Sequence, residues 1–162
     1  MAFSVSNYAG APGIATKDTT KKCPLGTIVR GVDPTYGEGE FIYLKGVAST
    51  IAGSVVEYST SFQTGLATSA TTLSRPLAVA MTTTTSSYYG WYQISGLAQM
   101  AKATSLSLAA DAYVGAAAGL AIAAASGKRI NGAQVAVVAS AVSGTAPDTV
   151  TVMINRPTDS YI

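Results

Sequence analysis

From about residue 40 onward, short runs of the chain alternate apolar and polar positions. The clearest is near the end. Val150, Val152 and Ile154 alternate with Thr151, Met153 and Asn155, the period-two pattern of a strand with one buried face. Earlier runs share the texture: Glu40–Lys45, Ser54–Ser59, Arg75–Thr82, Tyr88–Ile94, Gly96–Ala103, Ala112–Val114, Gly119–Ala123, Ala133–Ala141 and Asp148–Asn155. They are rich in Val, Ile, Thr and Tyr and are divided by Gly or Ser, which predicts an all-β fold, a β-sandwich or barrel of short antiparallel strands. Ser105–Ala125 is alanine-rich and could be helical. Gly115 and Gly119 interrupt it at a cost of about 1 kcal/mol each to a helix, so the reading is two short strands joined by a Gly115–Gly119 turn. Asn131-Gly132 is a turn signal. Ser59–Ser74 and the threonine run Thr82–Thr85 read as solvated surface elements.

Residues 1–35 lack this period. Gly10, Pro12, Gly13, Pro24, Gly26, Gly31 and Pro34 punctuate them, around a cluster of Lys17, Asp18, Lys21 and Lys22. The expected organisation is an extended N-terminal arm over 1–35, ordered by a partner, and a β-sandwich or barrel body over 36–162. Lys21 and Lys22 would then meet an acidic surface. In Tyr88–Ile94, strand alternation puts Tyr89, Trp91 and Gln93 on one face and Tyr88, Tyr92 and Ile94 on the other. With aromatics on both faces, one set is expected in the core and the other at an interface. Trp91 is assigned to the core. Tyr88 and Tyr92 are assigned to an interface with a neighbouring subunit, and Lys21 and Lys22 join them as candidate interface residues through the arm.

Composition sharpens this picture. Charged residues make up only 11% of the 162, against a typical figure of about 25%. Ala, Thr, Ser and Gly fill half the chain, and mean hydropathy is +0.32. A monomer of this kind would expose much small apolar surface, the mark of an interaction site. Self-association as a homodimer or homotrimer is therefore expected. Net charge is +2, with ten cationic side chains, too few for the basic face of a nucleic-acid binder. The start of the chain lacks a basic region followed by an apolar run, so no signal peptide is expected. The apolar stretch Ala112–Ala125 is shorter than the ~20 residues of a spanning helix, so no membrane partner is expected.

The residue types also bear on chemistry. The chain has no histidine and a single cysteine, Cys23. That excludes histidine acid–base catalysis, Cys/His zinc sites and an intramolecular disulfide. Asp33, Glu38 and Glu40 lack a calcium-loop spacing, and no phosphate-binding or nucleophile-elbow motif is present. Glu57 and Asp111 sit in strand-like surroundings, but nothing pairs them as a glycosidase needs. No catalytic, metal or cofactor-binding residue is assigned, and no enzymatic activity is expected.

Taken in order, GEGEFIYLKGV, GSVVEY, SRPLAVAM, YYGWYQISGLA, DAYVGAAAGL, GKRINGAQVAV and TVTVMINRP resemble capsid decoration, or cement, proteins of tailed bacteriophages. The resemblance runs from Gly37 to Pro157. It implies a β-rich body, made in the host cytoplasm, on the outside of the virion head. Such proteins bind the major capsid protein across capsomer junctions as dimers or trimers, and they stiffen the shell against packaged DNA. The alternative reading is a tail- or fibre-associated β-domain whose aromatics bind cell-surface glycans.

Overall fold

A computed structural model describes residues 4–5, 11–68, 75–125, 129–142 and 147–160. The fold is all-β. The strands are β1 (Ser4–Val5), β2 (Lys17–Asp18), β3 (Ile28–Asp33), β4 (Gly37–Lys45), β5 (Val55–Tyr58), β6 (Thr64–Leu66), β7 (Leu77–Ala80), β8 (Tyr89–Lys102), β9 (Val114–Ala117), β10 (Leu120–Ala123), β11 (Arg129–Val135) and β12 (Asp148–Ser160). All join one hydrogen-bonded network, whose main path is β1-β3-β4-β8-β7-β5-β6. Pairing is antiparallel apart from single contacts such as Ala121 with Lys102.

The axis of the molecule is β8. Its first half pairs with β4 on one side and β7 on the other, and its second half pairs with β12 from Lys102–Asp148 to Ser95–Asn155. Two runs expected as separate strands are thus one strand with a bend. Gly96 makes the bend possible. It has φ 98°, and a Cβ there would lie 2.4 Å from the Glu38 carbonyl oxygen, so only glycine lets β4 pass so close. A bulge on β8 opposite Glu40 and Phe41 adds to the turn.

On either side of the bend the sheet curls. Lys45 meets Gln63, and Tyr113 meets Gln134, each through a single bridge. These contacts do not extend into ladders, and the sheet is not closed into a barrel. One core lies inside the first curl, built from Ile42, Leu44, Val56, Ala78, Ala80, Tyr92 and Ile94. A larger one packs Ala98, Met100, Val114, Val135, Val150, Val152 and Ile154 against Val55, Leu77 and Val79. The alternation read in Val150–Asn155 holds: Val150, Val152 and Ile154 are buried, while Met153 and Asn155 are exposed. The alanine-rich segment forms the β9–β10 hairpin, turning at Ala118 and Gly119, both at positive φ, as a tight hairpin turn requires. Asn131-Gly132 does not turn the chain. It sits within β11, where Gly132 lies opposite a bulge of β12 at Asn155, Arg156 and Pro157 and the register shifts.

The third core concerns the first 35 residues. Ile14, Cys23 and Val29 are buried with Phe41, Tyr43, Met81 and Trp91. β3 pairs along its whole length with β4, and β2 pairs with the start of β8. Over its described residues, therefore, the stretch read as an extended arm lies on the chain's own sheet. Residues 1–3 and 6–10 of that stretch lie outside the described residues. The anchors are irregularly spaced, which is why no period betrays them. Trp91 Nε1–H donates to the Pro12 carbonyl at 3.0 Å. The Tyr43 hydroxyl donates to Asp18 Oδ2 at 3.2 Å and accepts the Lys22 N–H at 3.4 Å. Cys23 is a buried free thiol whose pKa is raised, chiefly by burial.

Burial pushes the Tyr43 hydroxyl up to about 12; the Lys22 N–H opposes the shift and Asp18 adds to it. In the unfolded chain it titrates near ~10. The neutral phenol is favoured by folding, so this contribution is complete below about pH 10 and is lost as pH rises through about 12. Melting temperature is expected to fall across that window, and to fall less steeply in Tyr43→Phe. Equal slopes for the two proteins would show that Tyr43 does not titrate with unfolding.

Candidate interaction surface

The four residues expected at an interface separate in the structure. Lys21 and Lys22 are exposed. Tyr88 is half-buried, and the Lys17 ammonium lies 5.2 Å from its ring centroid. Tyr92 is fully buried inside the first curl, with its hydroxyl 3.0 Å from that of Thr84. Burial raises its pKa, against the opposing hydroxyls of Thr84 and Thr64. Tyr92 is thus a core residue and cannot meet a neighbouring subunit. The face assignment by alternation was sound, and Trp91 is buried as expected. What alternation could not show is that both faces of this strand are covered, one by the curl of the sheet and the other by residues 11–29. Thr84, in the threonine run read as solvated, is likewise buried.

The exposed apolar side chains lie elsewhere. β8, β12 and β11 turn one face to the large core and the other outward. Registration places Leu97 beside Met153, Met153 beside Gln134, and Gln134 beside Tyr113. The four form a row across the outer face. Met153 is 50% exposed and Tyr113 49%. The neighbouring outward positions are Ser95, Gln99, Thr149, Thr151 and Asn155, with Gln99 donating to the Thr151 hydroxyl at 2.5 Å. None of these is charged. Arg129 lies over the Tyr113 ring, its guanidinium carbon 3.2 Å from the centroid. Beyond β11 the chain runs beside the start of β12, where the Ala136 and Val137 N–H groups reach the Thr151 carbonyl. There Val137 and Val138 are 58% and 62% exposed. The sequence carried a signal for this surface that went unread: a methionine at a polar-face position of the most regular strand.

Charge gathers at the bend. Arg30, Glu38, Gly39, Glu40, Ser95, Asn155 and Arg156 line a cleft of about 490 Å³. Glu40 Oε2 lies 2.8 Å from Arg156 Nη2, and Oε1 lies 3.5 Å from Arg30 Nε. Arg156 has φ 43° immediately before Pro157, a left-handed conformation that costs a non-glycine residue roughly 1–2 kcal/mol. The clamp joins residues 116 positions apart, a pairing with no local sequence signature. Among the described residues, no group of three or more His, Cys, Asp or Glu is placed to hold a metal ion. No helix of the described chain is long and apolar enough to cross a membrane.

No protein-family model, curated protein or solved structure matches this chain.

Proposed function

We propose that this chain is a structural component of a bacteriophage particle: a head decoration protein that docks on the major capsid protein, as a homodimer or homotrimer, and stabilises the shell. One observation carries the reading beyond sequence resemblance. The outer face of β8, β12 and β11 bears Met153 in register with Gln134 and Tyr113, carries Arg129 over the Tyr113 ring as its charged group, and has Val137 and Val138 beyond it. Such a surface gains from being covered, at roughly 25 cal/mol per Å² of apolar area, and charge depletion with aromatic and methionine enrichment marks the centres of protein interfaces. Repeated on a symmetric shell, modest contacts add through multivalency. The glycan-binding alternative needs exposed aromatic platforms. In the aromatic cluster it relied on, Trp91 and Tyr92 are buried and Tyr88 and Tyr89 half-buried, which leaves it less support.

Fractionating virions into heads and tails and locating the chain by mass spectrometry tests the reading directly. The chain is expected with heads, and purified protein is expected to cosediment with undecorated heads. Recovery only with tails, together with binding to bacterial polysaccharide, would replace this proposal by the alternative. Met153→Asp is expected to weaken association about tenfold or more at an unchanged melting temperature, as loss of an interface anchor does.

A further inference from the structure

We infer that the cleft at the bend of β8 receives an acidic side chain of the partner protein. The inference rests on the docking role proposed above and names the chemistry of one contact. The chain has ten cationic and eight acidic side chains in all, and four of them line this one cleft. Beside the exposed Glu38 carboxylate, the cleft presents two guanidinium groups to solvent. The Arg30 and Arg156 side chains are 65% and 59% exposed, whereas Glu40 between them is 21% exposed. Both Glu40 oxygens already face an arginine, so little acceptor capacity is left to attract a cation. The Arg156 guanidinium carries five N–H donors in a planar fork and meets Glu40 through Nη2, so it can hold a second carboxylate besides Glu40. Ser95 and Asn155 add neutral donors to the lining.

The flanks suit a protein partner. Ile28 and Val32 lie two residues either side of Arg30, on the same face of β3, and are 41% and 43% exposed. An apolar pair beside exposed arginines resembles a protein interface more than a site for a free ion. Glu38 is cross-strand from Val32 and exposed. Its charge opposes an incoming carboxylate, which gives the inference a sign that a purely structural clamp lacks.

The test is an NMR titration of the full ¹⁵N-labelled chain with a hexaglutamate peptide, and with hexalysine as control. Expected are saturable shifts at the Nε–H groups of Arg30 and Arg156 and at the Ser95 and Asn155 amides. Arg156→Gln is expected to weaken binding about tenfold and Glu38→Gln to strengthen it about twofold, by removal of an attractive and a repulsive charge. Should Arg156→Gln perturb the fold, Glu38→Gln still decides, because a clamp that binds nothing predicts no gain. Absence of shifts, equal shifts with hexalysine, or shifts confined to Lys17, Lys21 and Lys22 would overturn the inference. Hexaglutamate binding by a chain that ignores phage heads would leave this site standing and remove the decoration role. Heads bound equally well by wild type and Arg156→Gln would do the reverse.

Discussion

Replacing Trp91 with alanine is expected to remove about 3–5 kcal/mol of folding stability, the cost of emptying a large, close-packed site. Trp91 is 1% exposed and packs edge-on to Tyr43, with centroids 5.0 Å apart at 60°. Its indole N–H also holds the Pro12 carbonyl. The substitution therefore opens a cavity in the sheet and releases the segment that covers it. In a chain of this size the loss corresponds to a fall in melting temperature of roughly 10 °C, measurable by circular dichroism. Tyr92→Ala is expected to lower the melting temperature as well, since its ring fills the opposite core. Tyr88→Ala, at a half-buried position, is expected to change it little. A Tyr92→Ala protein that melts like the wild type but decorates particles poorly would mean that this ring faces outward after all.

These residues show where the sequence is informative and where it stops. Alternation is a local property. It correctly separated Trp91 from Tyr92, and Val152 from Met153, because successive strand residues point to opposite faces. What covers a face is not local. The first core closes through the curl that brings Lys45 to Gln63, and the third closes through residues 11–29, whose buried members Ile14, Cys23 and Val29 follow no period. A segment rich in Gly and Pro reads as an arm because its turns are visible and its docking is not. Gly96 reads as a strand break, since nothing nearby reveals that the Glu38 carbonyl needs the space. The Arg30–Glu40–Arg156 cluster was illegible for the same reason. Glu40 was visible only as one of three scattered acids, and its partner Arg156 is brought to it by the β8 bend and the β12 bulge.

The Lys102–Asp148 pair carries the other large expectation. Lys102 is fully buried, an unusual position for a lysine. Its ammonium lies 2.9 Å from Asp148 Oδ2 and donates to the Ser140 carbonyl at 3.1 Å. Asp148 sits at the rim, with its side chain 35% exposed. The two ends of the pair are therefore unequal. Lys102→Met removes the buried charge, keeps most of the stem and leaves a carboxylate that water can reach. Its expected cost is about 1 kcal/mol or less, as for replacing an ion by a well-packed apolar side chain. Asp148→Ala instead leaves the buried ammonium with carbonyl partners only, and it is expected to be the more destabilising change. Acid should reproduce that loss. The hydrogen bond from Lys102 holds the Asp148 carboxyl below its ordinary value, helped by the Thr149 N–H. A depressed folded pKa means that the contribution is present above the unfolded value of about 4 and disappears as pH falls through the folded one. The melting temperature of the wild type is thus expected to fall below about pH 4, while Lys102→Met falls less over the same range. Equal acid sensitivity in the two proteins, or a Lys102→Met variant less stable than Asp148→Ala at neutral pH, would show that the buried ammonium is satisfied without Asp148.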